Sequence, residues 1–176
     1  GGTLPVRVDD DAQRVLNTTL VYNPQGQNVA RYDKIHLFRF DDGQRRYDEA
    51  AVLRAGSAPS AFLATDAAGQ DWRVGLSVCY DLRFPELYRA LMHPENGGPC
   101  DLLSVPAAFT YTTGQAHWEL LLRARAVENQ CYVMAAAQGG THENGRRTWG
   151  HAMIIDPWGE VLAQVSEDGE GWALAD

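Results

Sequence analysis

Trp72, Val74, Leu76 and Val78 alternate with Arg73, Gly75 and Ser77, and the run ends directly on Cys79. Period-two alternation marks a strand with one packed face. Pro85 then stands where a helix can begin, and 85–93 reads as a short helix. Open α/β sheets display functional groups at the carboxyl ends of their strands, which is where this pattern puts a thiol. The second half repeats the alternation. Residues 101–106 form a buried strand ended by Pro106, 115–129 a helix with Trp118, Leu121, Leu122 and Val127 on one stripe, and 131–137 another apolar strand. Segments 17–23 and 28–33 read as strands joined by Pro24-Gln25-Gly26, 61–65 as a short strand, and 39–49 as an exposed polar loop. The end, 148–156, 160–165 and 171–175, reads as three strands, with Pro157-Trp158-Gly159 as the first turn. No repeat or linker divides the 176 residues, so the expectation is one α/β layered domain over 1–176.

Charge removes several classes of partner. Fifteen basic residues face 23 acidic ones, a net charge of −8, whereas nucleic acid or an anionic membrane surface requires concentrated positive charge. No apolar run approaches the roughly 18 residues of a membrane-spanning helix. The chain opens on Gly1-Gly2 without a methionine or a signal-peptide pattern, which suggests part of a longer protein. Three cysteines (Cys79, Cys100, Cys131) with no Cys-x-x-Cys pair suggest neither a disulfide framework nor a zinc ribbon, and point to a reducing, cytoplasmic setting.

The basic residues are 14 arginines and a single lysine, Lys34. A compact ammonium at a reacting centre is not replaceable by a broad guanidinium, although one surviving surface lysine would look the same in sequence. Cys79 likewise has two readings, a nucleophile at a strand end or a packed core thiol. A thiol nucleophile needs a base. The five histidines (His36, His93, His117, His142, His151) form no local signature with Cys79, and none pairs with another at metal-ligand spacing, so neither a metal nor another cofactor is expected. Lys34 and Glu49 offer an ammonium and a carboxylate instead, though their spacing does not by itself bring them to Cys79.

Three stretches resemble the carbon–nitrogen hydrolases of the nitrilase superfamily: Arg31-Tyr32-Asp33-Lys34-Ile35-His36-Leu37-Phe38, then Gly75 to Leu87 around Cys79-Tyr80-Asp81-Leu82-Arg83-Phe84-Pro85-Glu86, then His117-Trp118-Glu119 with Arg123 to Asn129. Gly150-His151 and Asp156 to Glu160 match the family's end strands. The resemblance implies a four-layer α-β-β-α sandwich, incomplete here at its N-terminus, that forms a homodimer or larger homo-oligomer through outer helices. It also implies a Glu–Lys–Cys site with Cys79 as nucleophile, Lys34 as the catalytic lysine and Glu49 as a second, positioning glutamate. The family's general-base glutamate lies upstream of the lysine. Ahead of Lys34's own motif, only Asp9, Asp10 and Asp11 are acidic, in a polar, loop-like stretch that matches no family motif. Lys34 and the Tyr80 N–H would stabilise the oxyanion of an attacked amide.

Among the remaining residues, Arg83 is a candidate for a substrate carboxylate or for a structural pair with Asp81 or Glu86. Phe109, Thr110 and Tyr111 are candidate pocket walls and His142 a weaker one. Glu119 and Glu128 read as salt-bridge partners of Arg123 and Arg125. Within the superfamily, the segments around Cys79, 113–126 and 130–138 are most similar to the deaminated glutathione amidases, which implies cleavage of a small-molecule amide to 2-oxoglutarate and cysteinylglycine. An ω-amidase acting on 2-oxoglutaramate is the near alternative. A non-catalytic binding module that keeps the fold, and a thiol protease using His117 or His151, are the rivals from other classes.

Overall fold

The computed structural model describes residues 2–41, 43, 46–165 and 170–175. Strands β1 (Leu4–Val8), β2 (Asp11–Tyr22) and β3 (Asn28–Asp33) form an antiparallel sheet in that order. Asp9 and Asp10 make the first turn, but Asp11 already opens β2, so the polar stretch is shorter than expected. The β2–β3 turn falls where Pro24-Gln25-Gly26 predicts it: the Asn23 side-chain oxygen accepts the N–H groups of Gln25 and Gln27 (3.1 and 2.9 Å).

The expected loop at 39–49 is instead a small hairpin, β4 (Arg39–Asp41) with β5 (Arg46–Asp48), followed by a 3₁₀ turn at Glu49–Ala51. Ring packing of Tyr47 on Phe38 and Phe40 (centroids 6.1 and 6.4 Å) draws the two arms together. The Asp42, Gln44 and Arg45 portion of the expected loop lies outside the described residues.

The remaining elements are β6 (Ser60–Thr65), β7 (Asp71–Leu76), α1 (Pro85–Leu91), β8 (Leu102–Ser104), α2 (Tyr111–Asn129), β9 (Tyr132–Ala135), β10 (Gly139–Thr141), β11 (Arg147–Trp149), β12 (Met153–Ile155) and β13 (Val161–Gln164). A six-stranded sheet runs β13-β12-β9-β8-β7-β6, parallel across β7, β8 and β9 and antiparallel at its flanks. One face packs on the helices, where Leu103, Val133, Ala135 and Ile155 are buried with Leu91, Trp118, Leu122 and Ala126. Gly75 is small for this reason: a Cβ there would stand 2.9 Å from Leu103 and 3.1 Å from Leu91. The other face presents Trp72, Val74, Leu76, Leu102 and Met134 which, with Leu20, Val21 and Tyr22 of β2, bound an open apolar hollow of about 1130 Å³. The layers are thus α-β-β, and the described residues supply one helical layer of the expected four-layer sandwich.

The buried stripe of α2 is Gly114, Trp118, Leu122, Arg125, Ala126 and Asn129. Val127 is 50% exposed, contrary to the expected stripe, because at 3.6 residues per turn it falls on the side of α2 opposite Trp118. The expected strand 148–156 is two strands. Gly150 and His151 both take left-handed backbone (φ 71° and 57°), so β11 pairs with β10 while β12 joins the main sheet. Residues 171–175 form no strand.

Candidate functional site

Lys34 follows β3, where its backbone is held from both sides: its N–H donates to the Asn17 carbonyl (2.9 Å) and its carbonyl accepts from Gly56 N–H (2.8 Å). Gly56 must be glycine, since a Cβ would fall 2.0 Å from the Asp33 carbonyl oxygen. The side chain points inward and is 1% exposed. A buried ammonium needs a partner, and Glu49 supplies it: Nζ donates to Oε2 at 2.5 Å. The same oxygen accepts the Phe38 N–H (2.7 Å), and Glu49 N–H donates to the Phe38 carbonyl (3.0 Å), so the carboxylate is fixed in place before it meets the lysine.

Cys79 follows the extended Val78 and begins a 3₁₀ turn (Cys79–Arg83). Its φ of +51° is in the left-handed region, a conformation a non-glycine residue holds only where its surroundings impose it. They do so here: Cys79 N–H donates to the Pro106 carbonyl (2.9 Å). Burial pushes the thiol up from its ordinary pKa and outweighs the Lys34 ammonium, the Ala108 N–H and Arg146, which pull it down; Glu49 adds to the rise.

One fully buried carboxylate joins these two segments. Asp81 Oδ2 accepts Tyr32 Oη–H (2.7 Å) and Val78 N–H (2.8 Å), while Oδ1 accepts His36 N–H (3.0 Å) and contacts His36 Nδ1 (2.7 Å). A carboxylate oxygen accepts, so Nδ1 carries the proton. Tyr32 and His36 flank Lys34 by two residues on either side. Asp81 therefore ties the lysine segment to the turn bearing the thiol. Stacking of His36 on Phe84 (3.8 Å) reinforces the joint.

Cys79 and Glu49 line two adjoining spaces. The smaller, about 310 Å³, is walled by Phe38, Tyr80, Arg83, Phe109, Thr110 and Thr113, and Lys34 lines the larger beside it. The fold therefore gathers Lys34, Glu49, Cys79, Tyr80, Arg83, Phe109 and Thr110 at one cleft. Tyr111 is not in its wall: its ring packs on Trp149 (5.1 Å) with Arg147 over it, turned that way as α2 begins. Neither Asp81 nor Glu86 takes up Arg83, which reaches His117 Nδ1 (3.3 Å) and lies over the Phe109 ring (5.3 Å). His142 bonds Thr148 (2.8 Å) and lines a different hollow, together with His151. Asp10 and Asp11 pair with Arg54 and Arg14. Glu119 meets Arg123 (3.4 Å) and Glu128 meets Arg125 (2.9 Å), as their helical spacing predicts. Sequence reasoning missed Thr113 and Arg146, which also line the cleft. Thr113, three residues beyond Thr110 on the first turn of α2, was within reach of helical periodicity; nothing in the spacing pointed to Arg146.

The carbon-nitrogen hydrolase family model matches residues 1–176. The chain belongs to this family. It is 46% identical over 177 residues to a deaminated glutathione amidase of Synechocystis sp., covering 99% of this chain and 62% of that protein. It is 42% identical to the omega-amidase NIT2 of Homo sapiens, covering 96% and 57%. The crystal structure of the C. elegans NitFhit protein superposes with a TM-score of 0.80 at 47% identity, covering 94% of this chain and 39% of that one. The chain spans between about a third and three fifths of the length of the curated relatives it matches, and its mixed α/β architecture is that of the nitrilase superfamily.

Proposed function

We propose that the protein is an amidase that cleaves a non-peptide C–N bond through a cysteine thioester, acting on deaminated glutathione. The ion pair of the buried Lys34 with Glu49 beside a left-handed Cys79, in a chain with no other lysine, carries this reading. Glu49 is committed to Lys34 and the Phe38 N–H. Its role is to hold the ammonium, and the thiol proton passes to a glutamate upstream of this chain, as the family resemblance implies. The thiolate attacks the amide carbonyl carbon, and the C=O electron pair moves to oxygen. That oxyanion lies between Lys34 Nζ and the Tyr80 N–H, since the first N–H groups of a helical turn lack partners within it. Collapse expels the amine with a proton from the general acid, and water then releases the acid from the thioester.

Phe109 and Thr110 serve as walls of the acyl pocket and Arg83 as a substrate contact. Residues 1–176 are read as the later part of one hydrolase domain. Self-association uses the outer face of α2, where Leu120 and Val127 stand exposed beside Trp158, which is 88% exposed. Three free cysteines fit a cytoplasmic setting; among the described residues no helix is long and apolar enough to cross a membrane.

The test is amine and ammonia release by the full-length protein from deaminated glutathione and from 2-oxoglutaramate, before and after iodoacetamide. Faster turnover of the former, abolished by thiol alkylation and by Lys34→Arg, supports the proposal. Preference for 2-oxoglutaramate supports the ω-amidase alternative that the 42% identity to a human ω-amidase favours. Stoichiometric labelling of Cys79 with no turnover of any amide refutes catalysis.

A further inference from the structure

A thiolate at Cys79 needs positive charge around it, because burial favours the neutral thiol. Lys34 supplies some, but it arrives paired: Glu49 accepts Nζ–H at 2.5 Å and acts on the same sulfur in the opposite sense. The other charged or titratable groups about the thiol come from several elements. Asp81, on the turn that Cys79 begins, is taken up by Tyr32, Val78 and His36. Arg83 of the same turn is engaged with His117 Nδ1 of α2 (3.3 Å) and lies over the Phe109 ring. Tyr88 of α1 donates to Ser77 Oγ (2.9 Å), and burial holds its hydroxyl well above the ordinary phenol range, so it stays neutral. The segment 106–108 brings no charge of its own. What remains is Arg146.

Arg146 lines both of the spaces that Cys79 lines. It stands at the tip of the β10–β11 hairpin, which is closed by His142 N–H to the Arg146 carbonyl (2.8 Å) and Arg146 N–H to Asn144 Oδ1 (3.0 Å). Its guanidinium donates from Nη2 to the Ala108 carbonyl (2.7 Å), and Cζ lies 5.9 Å from the Tyr47 ring centroid. Nε is buried with no hydrogen-bond partner, and no carboxylate pairs with the side chain among the described residues. A cation without a counter-ion in a partly enclosed, low-dielectric site keeps its full effect on a nearby thiol. The hold on Ala108 adds a mechanical role. Residues 106–108 are pinned at three points: the Pro106 carbonyl accepts Cys79 N–H (2.9 Å), Ala107 N–H donates to the Ala136 carbonyl (2.8 Å), and the Ala108 carbonyl accepts Arg146. Arg146 thus helps fix the strip of backbone against which the left-handed Cys79 is held.

We propose that Arg146 is a positioning residue for the nucleophile, its unpaired charge and its hold on the Ala108 peptide together sustaining the Cys79 thiolate once the proton has left. Lys34 is then free to meet the oxyanion while a second cation remains on the sulfur. This rests on the amidase reading for its purpose, although its test reads the thiol and not turnover.

The experiment follows iodoacetamide capture of Cys79 across pH in the full-length protein, by mass spectrometry of the Cys79 peptide. The reagent is neutral, so losing a charge at the cleft does not alter its delivery. In Arg146→Gln the inflection should move up by at least about half a pH unit. Below the inflection, capture should slow about twofold or more, less than the lost thiolate alone would give, because a more basic thiolate is the better nucleophile. Arg146→Lys, which keeps the charge without the planar fork, should recover most of the inflection. A merely structural role, through the Ala108 carbonyl, would change Tm or the plateau rate and leave the inflection at its wild-type pH, which overturns the proposal. An inflection that moves in Arg83→Gln but not in Arg146→Gln also overturns it. If Arg146→Gln fails to fold, Arg146→Met keeps the apolar stem, removes the charge and is read in the same way. An inflection that moves with Arg146 in a protein that turns over no amide removes the amidase and keeps the thiolate's cation. Amide turnover with an unmoved inflection removes the cation and keeps the amidase.

Discussion

Asp81→Asn tests the joint between the lysine and thiol segments without changing side-chain shape. The carboxylate accepts from Tyr32 and Val78 on one oxygen and from the backbone and ring of His36 on the other. An amide offers one accepting oxygen, so its NH2 must replace one of these two pairs. Facing Oδ2's partners, Tyr32 can turn its hydroxyl to accept, but the Val78 N–H is orphaned. Facing Oδ1's partners, His36 can change tautomer, but its backbone N–H is orphaned. Either way one buried backbone donor loses its partner, which costs about 1–3 kcal/mol. The surviving bonds also lose charge assistance, worth roughly 0.5–1 kcal/mol each. Relief from burying a charge offsets part of this, leaving a loss of about 3 kcal/mol. For a chain of this size that lowers Tm by roughly 6–12 °C. Differential scanning calorimetry reads it directly. A Tm within about 2 °C of wild type would refute the reasoning and show that Asp81 fills space rather than tying the two segments together.

Three further outcomes follow from burial and close contact. Because burial raises the Cys79 thiol, its iodoacetamide alkylation rate should keep climbing with pH beyond the ordinary thiol range of about 8.5. Lys34→Met, which removes the cation favouring thiolate, should shift the profile higher still, and an inflection below pH 8 in the wild type would contradict this. Gly114→Ala would bring a Cβ to 2.3 Å from Trp149 Cβ and prise α2 from β11, at a cost of about 1–3 kcal/mol in urea unfolding; an unchanged midpoint would rule out that contact. Thermal stability should fall as pH rises above about 8.5, because burial raises Tyr32 and Tyr88 and pushes Cys131 up to about 12. The unfolded chain then gives up these protons first and is favoured, so a Tm that holds steady from pH 8 to 11 would count against it.

Elements with strong internal patterning were legible from sequence. The alternation from Trp72 and the apolar spacing of α2 each mark a real element: in α2 burial on one face imposes the period, whereas β7 is covered on both faces and alternates because Gly75 is kept small under Leu103 and Leu91 while Val74 and Leu76 face the second sheet. Beyond such a face the signal fails. The three residues of β4 are all exposed, so ring contacts around Tyr47 assemble that hairpin without any alternation to betray it. Gly150 and His151 break one apolar run into strands of two different sheets through backbone angles that composition does not encode. At the cleft, Lys34, Glu49 and Cys79 were named from motif resemblance and residue economy. Arg146 was not, because it comes from a Gly- and Asn-containing hairpin tip that reaches the cleft only through tertiary folding.

The solitary, sequestered lysine also makes the chain addressable in a way few proteins are. Every other cationic side chain being arginine, amine-directed chemistry has one side-chain target in these 176 residues, and it lies at the heart of the cleft. Reductive methylation with carbon-13 formaldehyde would therefore place a single side-chain NMR reporter beside Cys79, and a lysine-specific protease would have one cleavage point, shielded for as long as the chain stays folded. Resistance to that cut becomes a direct readout of whether the lysine segment is seated, and a ligand that seats it more firmly would reveal itself as slower proteolysis even where no turnover can be measured.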